Sequence, residues 1–273
     1  MKPCAYNLIR SEPFYRRDAF TAGLKACGFD VKNGQPNNGK PGDVLLIWNR
    51  YYQNHDLAVR FERDGGTVIV SENGYLGPSG VSPVQMQPRS IYALARGYHN
   101  DASVIPEAWP ERFNALGVTL QPWRTTGNHI LVCPNRSFGT PGRFMHPDWA
   151  ADVKKRLERV TSREIRVRPH PGNDLPKKPL ADDLKDCWAV VIWASSAGVH
   201  ALVAGIPVIC EAPYWICHGA AFNGFKEFEQ IGDIRNDYLS AYAGRLRALQ
   251  RLAHAQFNLS EIESGEAFRH ILQ

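Results

Sequence analysis

The sequence predicts an α/β protein with two halves, each built around a parallel β-sheet. Its 273 residues are enough for about two domains. In both halves, short apolar runs alternate with segments of helical periodicity, which is typical of βαβ units. Between them, residues 73–127 are rich in Gly, Pro and Asn. We therefore expect one domain at 1–127 and a second at 128–273, with the ligand cleft between the two.

The first half contains three apolar runs of strand length, joined by helical segments. The strands are predicted at 4–9, 43–48 and 67–70. Ser11 is the predicted cap of the first helix, which ends at Gly28. A second helix is predicted at 55–63.

The second half repeats this alternation. Its strands are predicted at 129–133, 164–168, 189–193 and 207–210. Its helices are predicted at 149–160, from Ser196 onward, and at 239–252. Ser260 and Glu263 have the spacing of a capping box for a last helix.

Composition and charge exclude several classes of protein. Apolar residues make up 44% and charged residues 22%, which excludes disordered and fibrous chains. The net charge of +5 permits a nucleic-acid partner without requiring one. The six cysteines form no CxxC pair, so neither a zinc site nor a disulfide framework is expected. No signal peptide or membrane span is expected either, which predicts a cytoplasmic protein.

The loop after the strand at 129–133 is the first candidate for chemistry. Its sequence, PNRSFGTPGR, follows a strand and precedes a helix. Gly139 lets the backbone approach a ligand closely, Arg136 supplies positive charge, and Asn135 and Ser137 supply polar groups. The loop could therefore hold a phosphate, or it could be a solvated surface loop.

Three further motifs follow strands of the second half. In RPHP, two prolines hold Arg168 and His170 in a fixed relation that suits phosphate or carboxylate recognition. Ser195 and Ser196 precede a predicted helix, where they could cap it or bind an anion. Glu211 could accept hydrogen bonds from a ribose, or it could be solvated.

The segment SENGYLG places a carboxylate after a strand of the first half. Glu72 lies where a general base would face the cleft, although a turn carboxylate is the alternative. Four neighbours could shape an acceptor site: Asn73, Tyr75, Tyr98 and His99. No DxD, GxSxG, HExxH or GxGxxG motif occurs, so no metal site is expected. The pair at 182–183 is interpreted as a solvated helical face.

The motifs of the second half resemble those of a known family. The runs ILVCPNRSFGTPG, VRPHPGN and VVIWASSAGVHALVAGIPVICE are similar to the C-terminal half of GT-B-type glycosyltransferases, above all capsular-polysaccharide and Kdo-transferase-like proteins. The segments SENGYLG and AHAQFNLSEIESGEAF resemble small bacteriophage proteins that include DNA-modifying glycosyltransferases. The likeness covers residues 67–273.

This resemblance implies two Rossmann-like domains facing a cleft, with a nucleotide-sugar co-substrate, in the first place a UDP-sugar, and no metal or other cofactor. The first domain would bind the acceptor and the second the donor. Ser195 and Ser196 would hold the donor phosphates, Arg168 and His170 would flank them, and the 135–142 loop would close on them. Glu72 is the expected base, and His170 is the second catalytic candidate.

Three functions remain open from the sequence. The favoured acceptor is a 5-hydroxymethylated pyrimidine in phage DNA, since basic and aromatic residues interleave at Arg89, Tyr92, Arg96, Tyr98, Trp123 and Arg124. A surface or capsular glycan is the alternative acceptor. The third possibility is a nucleotide- or DNA-binding module without catalysis. The sequence gives neither the sugar, nor the nucleobase of the donor, nor whether the configuration is inverted or retained, nor the oligomeric state.

Overall fold

The computed structural model describes residues 2–83, 90–101, 110–170, 178–224 and 244–273. These residues form two compact units, each with its own sheet. The first unit takes in residues 2–77, 81–83, 90–101 and 253–273, and the second takes in the others.

The strands and helices of the described residues are numbered here along the chain. The strands are β1 (Cys4–Asn7), β2 (Asp30–Lys32), β3 (Val44–Trp48), β4 (Thr67–Asn73), β5 (Ile91–Arg96), β6 (His129–Cys133), β7 (Glu164–Val167), β8 (Cys187–Ile192), β9 (Val208–Cys210), β10 (Phe222–Asn223) and β11 (Gln256–Asn258). The α-helices are α1 (Arg17–Ala26), α2 (Gln53–Arg63), α3 (Pro110–Ala115), α4 (Trp149–Leu157), α5 (Leu180–Leu184), α6 (Ala197–Val203), α7 (Gly244–His254), α8 (Leu259–Glu263) and α9 (Glu266–Leu272).

The first sheet has the order β11-β5-β4-β3-β1-β2. The strands β1, β3 and β4 are parallel, as predicted, and β2, which was not predicted, runs parallel to β1. The prediction of an all-parallel sheet is wrong for the rest, because β5 runs antiparallel to β4 and β11 runs antiparallel to β5. An antiparallel pair needs no crossover helix, so the alternation of strand and helix patterns carries no signal for β5.

Helices cover both faces of the first sheet. On one face, Phe20 of α1 and Phe268 of α9 share a core cluster with residues of β1, β3, β4 and β5. On the other face, Leu57 and Phe61 of α2 form a second cluster. Burial on both faces explains why β3 is a continuous apolar run, with all five of its residues buried.

The C-terminal residues 253–273 belong to the first unit. The strand β11 pairs with β5, with Phe257 opposite Tyr92, and α8 packs on α1. Only glycine fits at position 23 of α1, because a Cβ atom there would collide with the Ile262 carbonyl of α8. This assignment differs from the predicted division, which placed the terminal helices in the second domain.

The second sheet is parallel throughout and has the order β10-β9-β8-β6-β7. Every residue of β6 and β8 is buried. On one face, Trp149, Val153 and Leu157 of α4 pack against the sheet. Both sheets therefore have helices packed on parallel strands, which is the Rossmann-like architecture.

Two predicted helix starts are shifted in the structure. The first helix begins at Arg17 rather than near Ser11, because a 3₁₀ turn at Pro13–Tyr15 and a left-handed Arg16 (φ 50°) precede it. The capping box predicted at Ser260 and Glu263 is wrong. Asn258 and Glu261 form it instead, two residues earlier. The helix predicted at 239–252 begins at Gly244 in the described part, and residues 239–243 lie outside it.

Candidate ligand-binding site

The centre of the second sheet contains a topological switch point. The strands β6 and β8 are neighbours, and the chain leaves them toward opposite sides of the sheet, to β7 and to β9. In open parallel sheets, ligands bind beyond the carboxyl ends of the strands at such a point. The loop at 134–143 follows β6, and the segment at 193–196 follows β8. These two segments are therefore the expected walls of a site.

A side chain joins the two segments directly. Asn135 Oδ1 accepts a hydrogen bond of 3.1 Å from the backbone N–H of Ala194. Asn135 is half-buried, whereas Ala194 is buried at 7% exposure. The predicted site residue Asn135 thus ties the loop after β6 to the loop after β8 at the switch point.

The other end of the 134–143 loop is also held. The Arg143 carbonyl accepts hydrogen bonds from the Trp193 indole N–H at 3.1 Å and from the Tyr214 hydroxyl. The Arg143 guanidinium lies over the Tyr214 ring, 4.2 Å from its centroid. No sequence motif marked this role of Arg143 and Tyr214, since the accepting group is a backbone carbonyl.

Between the two anchors, the loop presents polar and basic groups. Arg136 and Ser137 are exposed, and the Arg136 guanidinium lies 5.6 Å from the centroid of the Phe138 ring. Gly139 has a φ of 159°, which is extended backbone, and a Cβ atom there would press on Phe144 at 3.3 Å. The anchored loop is thus a short arch with one cation and one hydroxyl on its outer side.

His170 belongs to the same edge of the sheet. It follows β7, and its pKa lies below the usual value for histidine. Partial desolvation of the ring is the larger cause, and the positive charge of Arg136 is the second. The imidazole is therefore largely neutral at pH 7, so that it can accept a hydrogen bond or a proton.

The serine segment lies where the sequence predicts it. Ser195 Oγ accepts a 3.2 Å hydrogen bond from the Ala197 N–H, which is the first residue of α6. Ser196 is exposed, and no side-chain cap hydrogen bond is made by it. Ser195 therefore supports the helix start, and Ser196 is the hydroxyl that faces solvent.

Arg168 has a structural partner. Its guanidinium bonds the carboxylate of Asp183 and donates to the Lys178 carbonyl at 2.5 Å. Lys178 donates to the same carboxylate at 2.6 Å. Desolvation alone would raise the pKa of Asp183, but hydrogen bonds from the two cations outweigh it and lower that pKa.

The interpretation of 182–183 as a solvated face is therefore wrong for Asp183, which is 9% exposed. If Arg168 binds a phosphate, its guanidinium must contact the phosphate while it remains paired with Asp183.

Glu211 is half-buried at the end of β9. Its carboxylate accepts from the Trp149 indole N–H and from Arg156 at 3.2 Å. A carboxylate has further lone pairs, so the predicted ribose contact is compatible with these bonds. Glu211 also lines a cavity of about 420 Å³ beside α4, together with His146, Trp149, Asp152, Val153, Lys155, Arg156 and Arg159.

The predicted acceptor residues of the first unit lie on β4 or follow β4 and β5. Glu72 lies near the end of β4, where it pairs with Ala93 of β5, and its Oε1 accepts two hydrogen bonds from Asn73, at 2.9 and 3.1 Å. Because β5 is antiparallel, Tyr98 and His99 leave the sheet beyond Arg96, near the start of β4.

Tyr75 and Tyr98 have structural contacts. Tyr75 is 7% exposed, and its hydroxyl accepts from the Asn100 N–H at 3.1 Å. The buried Arg50 guanidinium lies 4.2 Å from the Tyr98 ring centroid. The role of these residues in ligand binding remains a prediction.

The residues that favoured a DNA partner are largely engaged inside the protein. Tyr92 is fully buried. The Arg124 guanidinium donates to two backbone carbonyls at 2.7 and 2.9 Å. The Trp123 ring lies 4.2 Å from the Arg245 guanidinium. Arg96 is exposed, and Arg89 lies outside the described residues. Interleaved basic and aromatic residues here indicate cation–π packing in the folded chain.

Within the part of the chain that the structure describes, none of the helices has the length and apolarity to cross a membrane. In that same part, no cluster of three or more His, Cys, Asp or Glu side chains is arranged to hold a metal ion.

Comparison with known proteins identifies structural relatives only. No protein-family model and no curated protein sequence matches the chain. A KpsC β-Kdo 2,7-transferase structure from Thermosulfurimonas dismutans matches with a TM-score of 0.54 and 16% identity, covering 100% of this chain and 99% of that one. A KpsC β-Kdo 2,4-transferase structure from the same organism matches with a TM-score of 0.56 and 14% identity, covering 93% and 90%.

These likenesses concern the fold. Nearly the whole of both chains aligns, so the fold of this chain is similar to the fold of these two transferase structures. The prediction of a fold of the glycosyltransferase type is confirmed. An identity of 14–16% does not transfer a substrate or a reaction.

Proposed function

We propose that this protein is a glycosyltransferase that binds a nucleotide sugar at the carboxyl edge of its second sheet. The observation that carries the proposal is the hydrogen bond from Ala194 to Asn135, which joins the loops after β6 and β8 at the switch point. Phosphate-bearing ligands bind where such loops meet in α/β sheets. The fold shared with the two KpsC transferases supports the same conclusion.

Each of several residues at this edge has its own proposed role in donor binding. Arg136 would neutralise the phosphates, and Ser137 and Ser196 would donate hydrogen bonds to them, because all three are exposed there. Neutral His170 would contact a phosphate oxygen. Arg168 would act through its bond to Asp183, which holds the loop after β7. Glu211 is the proposed ribose contact, and a UDP-sugar is the proposed donor.

The proposed chemistry is a single displacement at the anomeric carbon. The acceptor hydroxyl oxygen forms a bond to that carbon while the bond to the donor phosphate breaks. The electron pair leaves with the nucleotide, and preorganised charge stabilises it. The hydroxyl proton passes to a carboxylate, for which Glu72 is our candidate. No metal is invoked in this scheme.

We propose a saccharide hydroxyl as the acceptor. Most of the residues that favoured DNA make internal contacts, which removes much of the reason for preferring it. DNA containing a 5-hydroxymethylated pyrimidine is kept as one arm of the test. A module that binds without catalysis is the other alternative.

The test is a transfer assay with a donor panel. The panel contains UDP-sugars, other nucleoside diphosphate sugars and a nucleoside monophosphate sugar acid, each offered with oligosaccharides or with 5-hydroxymethylcytosine DNA. Nucleotide release and the mass of the acceptor are measured. We expect release and a mass increase of one sugar on a saccharide. A sugar on the DNA base would instead establish the DNA acceptor. Ligand binding without release from any donor would refute catalysis.

A further inference from the structure

The first sheet has its own switch point, between β1 and β3. The chain leaves β1 through residues 8–16 and leaves β3 through residues 49–52, on the way to α1 and α2. Because ligands of open parallel sheets bind beyond the carboxyl ends of the strands at a switch point, a ligand of this unit is expected between these two loops. None of the predicted acceptor residues lies in either loop.

One residue of the second loop is held in a conformation that favours glycine. Tyr52 has φ 50° and ψ −132°, and Asn49 in the same loop has φ 60°. A side chain at such backbone angles costs of order 1–3 kcal/mol, and residues of this kind cluster at ligand sites. Glycine would satisfy the turn before α2 without strain, so the local backbone does not explain a tyrosine there.

The side chain of Tyr52 is presented to solvent. It is 65% exposed, and its ring lies edge-on to the ring of Tyr51, with 5.3 Å between the centroids. The Asn49 amide donates to the Tyr51 hydroxyl at 2.8 Å, which orients that ring. Two neighbouring aromatic rings are therefore positioned at the carboxyl edge of β3.

The facing loop adds aromatic residues and one cation. Phe14 is 39% exposed, and Tyr15 lies 4.9 Å from Phe14 and 4.9 Å from Trp48, the last residue of β3. The Arg10 guanidinium lies 5.6 Å from the Tyr15 ring centroid. Within the described residues, Arg10 makes no ion pair. We name Phe14, Tyr15, Tyr51 and Tyr52 the aromatic platform.

We infer that the aromatic platform binds the acceptor saccharide, with a sugar ring against Tyr52 and an acidic substituent near Arg10. This inference rests on the proposed function. An aromatic face offers a large apolar area at low entropic cost, which suits the apolar face of a pyranose.

Charge argues for a saccharide rather than for DNA at the platform. Duplex DNA would require several cations for its phosphates. The neighbouring arginines are engaged, because Arg16 contacts Asp18 at 3.4 Å and Arg17 donates to the Asn7 carbonyl at 3.1 Å. One arginine suffices for a single carboxylate.

The test measures binding separately from transfer. Saturation-transfer NMR is recorded with methyl β-D-glucuronide and methyl β-D-glucoside on the wild type and on Y52A, Y52G and V59A. Val59 is 44% exposed on α2, away from the turn, and serves as the matched control. We expect signals for the wild type and V59A, stronger for the glucuronide, and their loss in both Tyr52 variants. With an active donor, Y52A should raise the acceptor KM about tenfold, whereas V59A should leave it unchanged.

Y52G separates lost binding from misfolding, since it relieves the backbone angle and should be at least as stable as the wild type. No signal from either glycoside with the wild type, or an undiminished signal with Y52A, would overturn the inference. Absence of nucleotide release from every donor while Y52A still abolishes the glycoside signal would refute the transferase and leave the platform as a saccharide site.

Discussion

The bond between Asn135 and Ala194 yields the sharpest prediction for the candidate site. Asn135→Ala removes the acceptor of a 3.1 Å hydrogen bond and leaves the N–H of Ala194, which is 7% exposed, without it. An orphaned buried donor costs about 1–3 kcal/mol. A loss of about 2 kcal/mol should lower Tm by roughly 4–8 °C in a chain of this size. If the same energy orders the loop for catalysis, kcat/KM should fall by up to about 30-fold.

Asn135→Asp separates the contribution of the hydrogen bond to stability from the contribution of this position to donor binding. Asp keeps an oxygen acceptor of similar size, so Tm should stay close to that of the wild type. For a donor phosphate bound at an assumed separation of about 5 Å, the new negative charge would cost about 3 kcal/mol at an effective dielectric constant of 20, which raises the donor KM by roughly 100-fold. The effect should shrink with added salt.

The assay is the initial rate of nucleotide release as a function of donor concentration, with differential scanning calorimetry for Tm. N114D, with the same charge change on an exposed residue of α3, is the matched control and should behave as the wild type. A wild-type donor KM for N135D would refute phosphate binding beside this loop.

Three further predictions concern stability and reactivity. Glu62→Ala should destabilise the first unit by about 3 kcal/mol in urea unfolding, because it removes the carboxylate that pairs with the 1%-exposed Arg50 guanidinium, whereas a loss below about 1 kcal/mol would show that the pair is dispensable. The lowered pKa of Asp183 means that its ion pairs stabilise the fold above about pH 3.8 and are lost below it, so Tm should fall more steeply between pH 4 and 2.5 in the wild type than in D183N, and parallel curves would contradict this. A thiol reagent at pH 8 should modify Cys4 fastest, Cys27 more slowly because partial burial raises its pKa, and the four buried thiols slowest because burial raises the pKa of each of them, and six equal rates would contradict it.

The strands of the second half were predicted best. The boundaries of β6 match the prediction, and those of β7, β8 and β9 differ by one or two residues. β6, β8 and β9 are parallel and buried throughout, so the apolar run coincides with the strand, whereas β7 is a largely exposed strand at the edge of the sheet. β5 and β11 were missed, because both pair antiparallel at one side of a mixed sheet, where no alternation of strand and helix patterns marks them.

In the candidate site, too, some features were predicted from the sequence and others were not. Strand endings placed Asn135, Arg136, His170 and Ser196 at one edge of the sheet, because the carboxyl ends of parallel strands meet there. Partners distant in sequence were not predictable. The bonds of Arg168 to Asp183 and of Glu211 to Trp149 depend on how helices pack across the sheet.

The sequence by itself determined the α/β class, the positions of most buried strands and the loops that follow them. Those features depend on local periodicity and on glycine or proline at strand and helix ends. Both signals involve only residues that are close together in the sequence. Only the tertiary structure decided that residues 253–273 return to the first unit and that Tyr52 stands exposed at the switch point. These features depend on which surfaces remain uncovered after packing, and packing joins residues that are far apart in the chain.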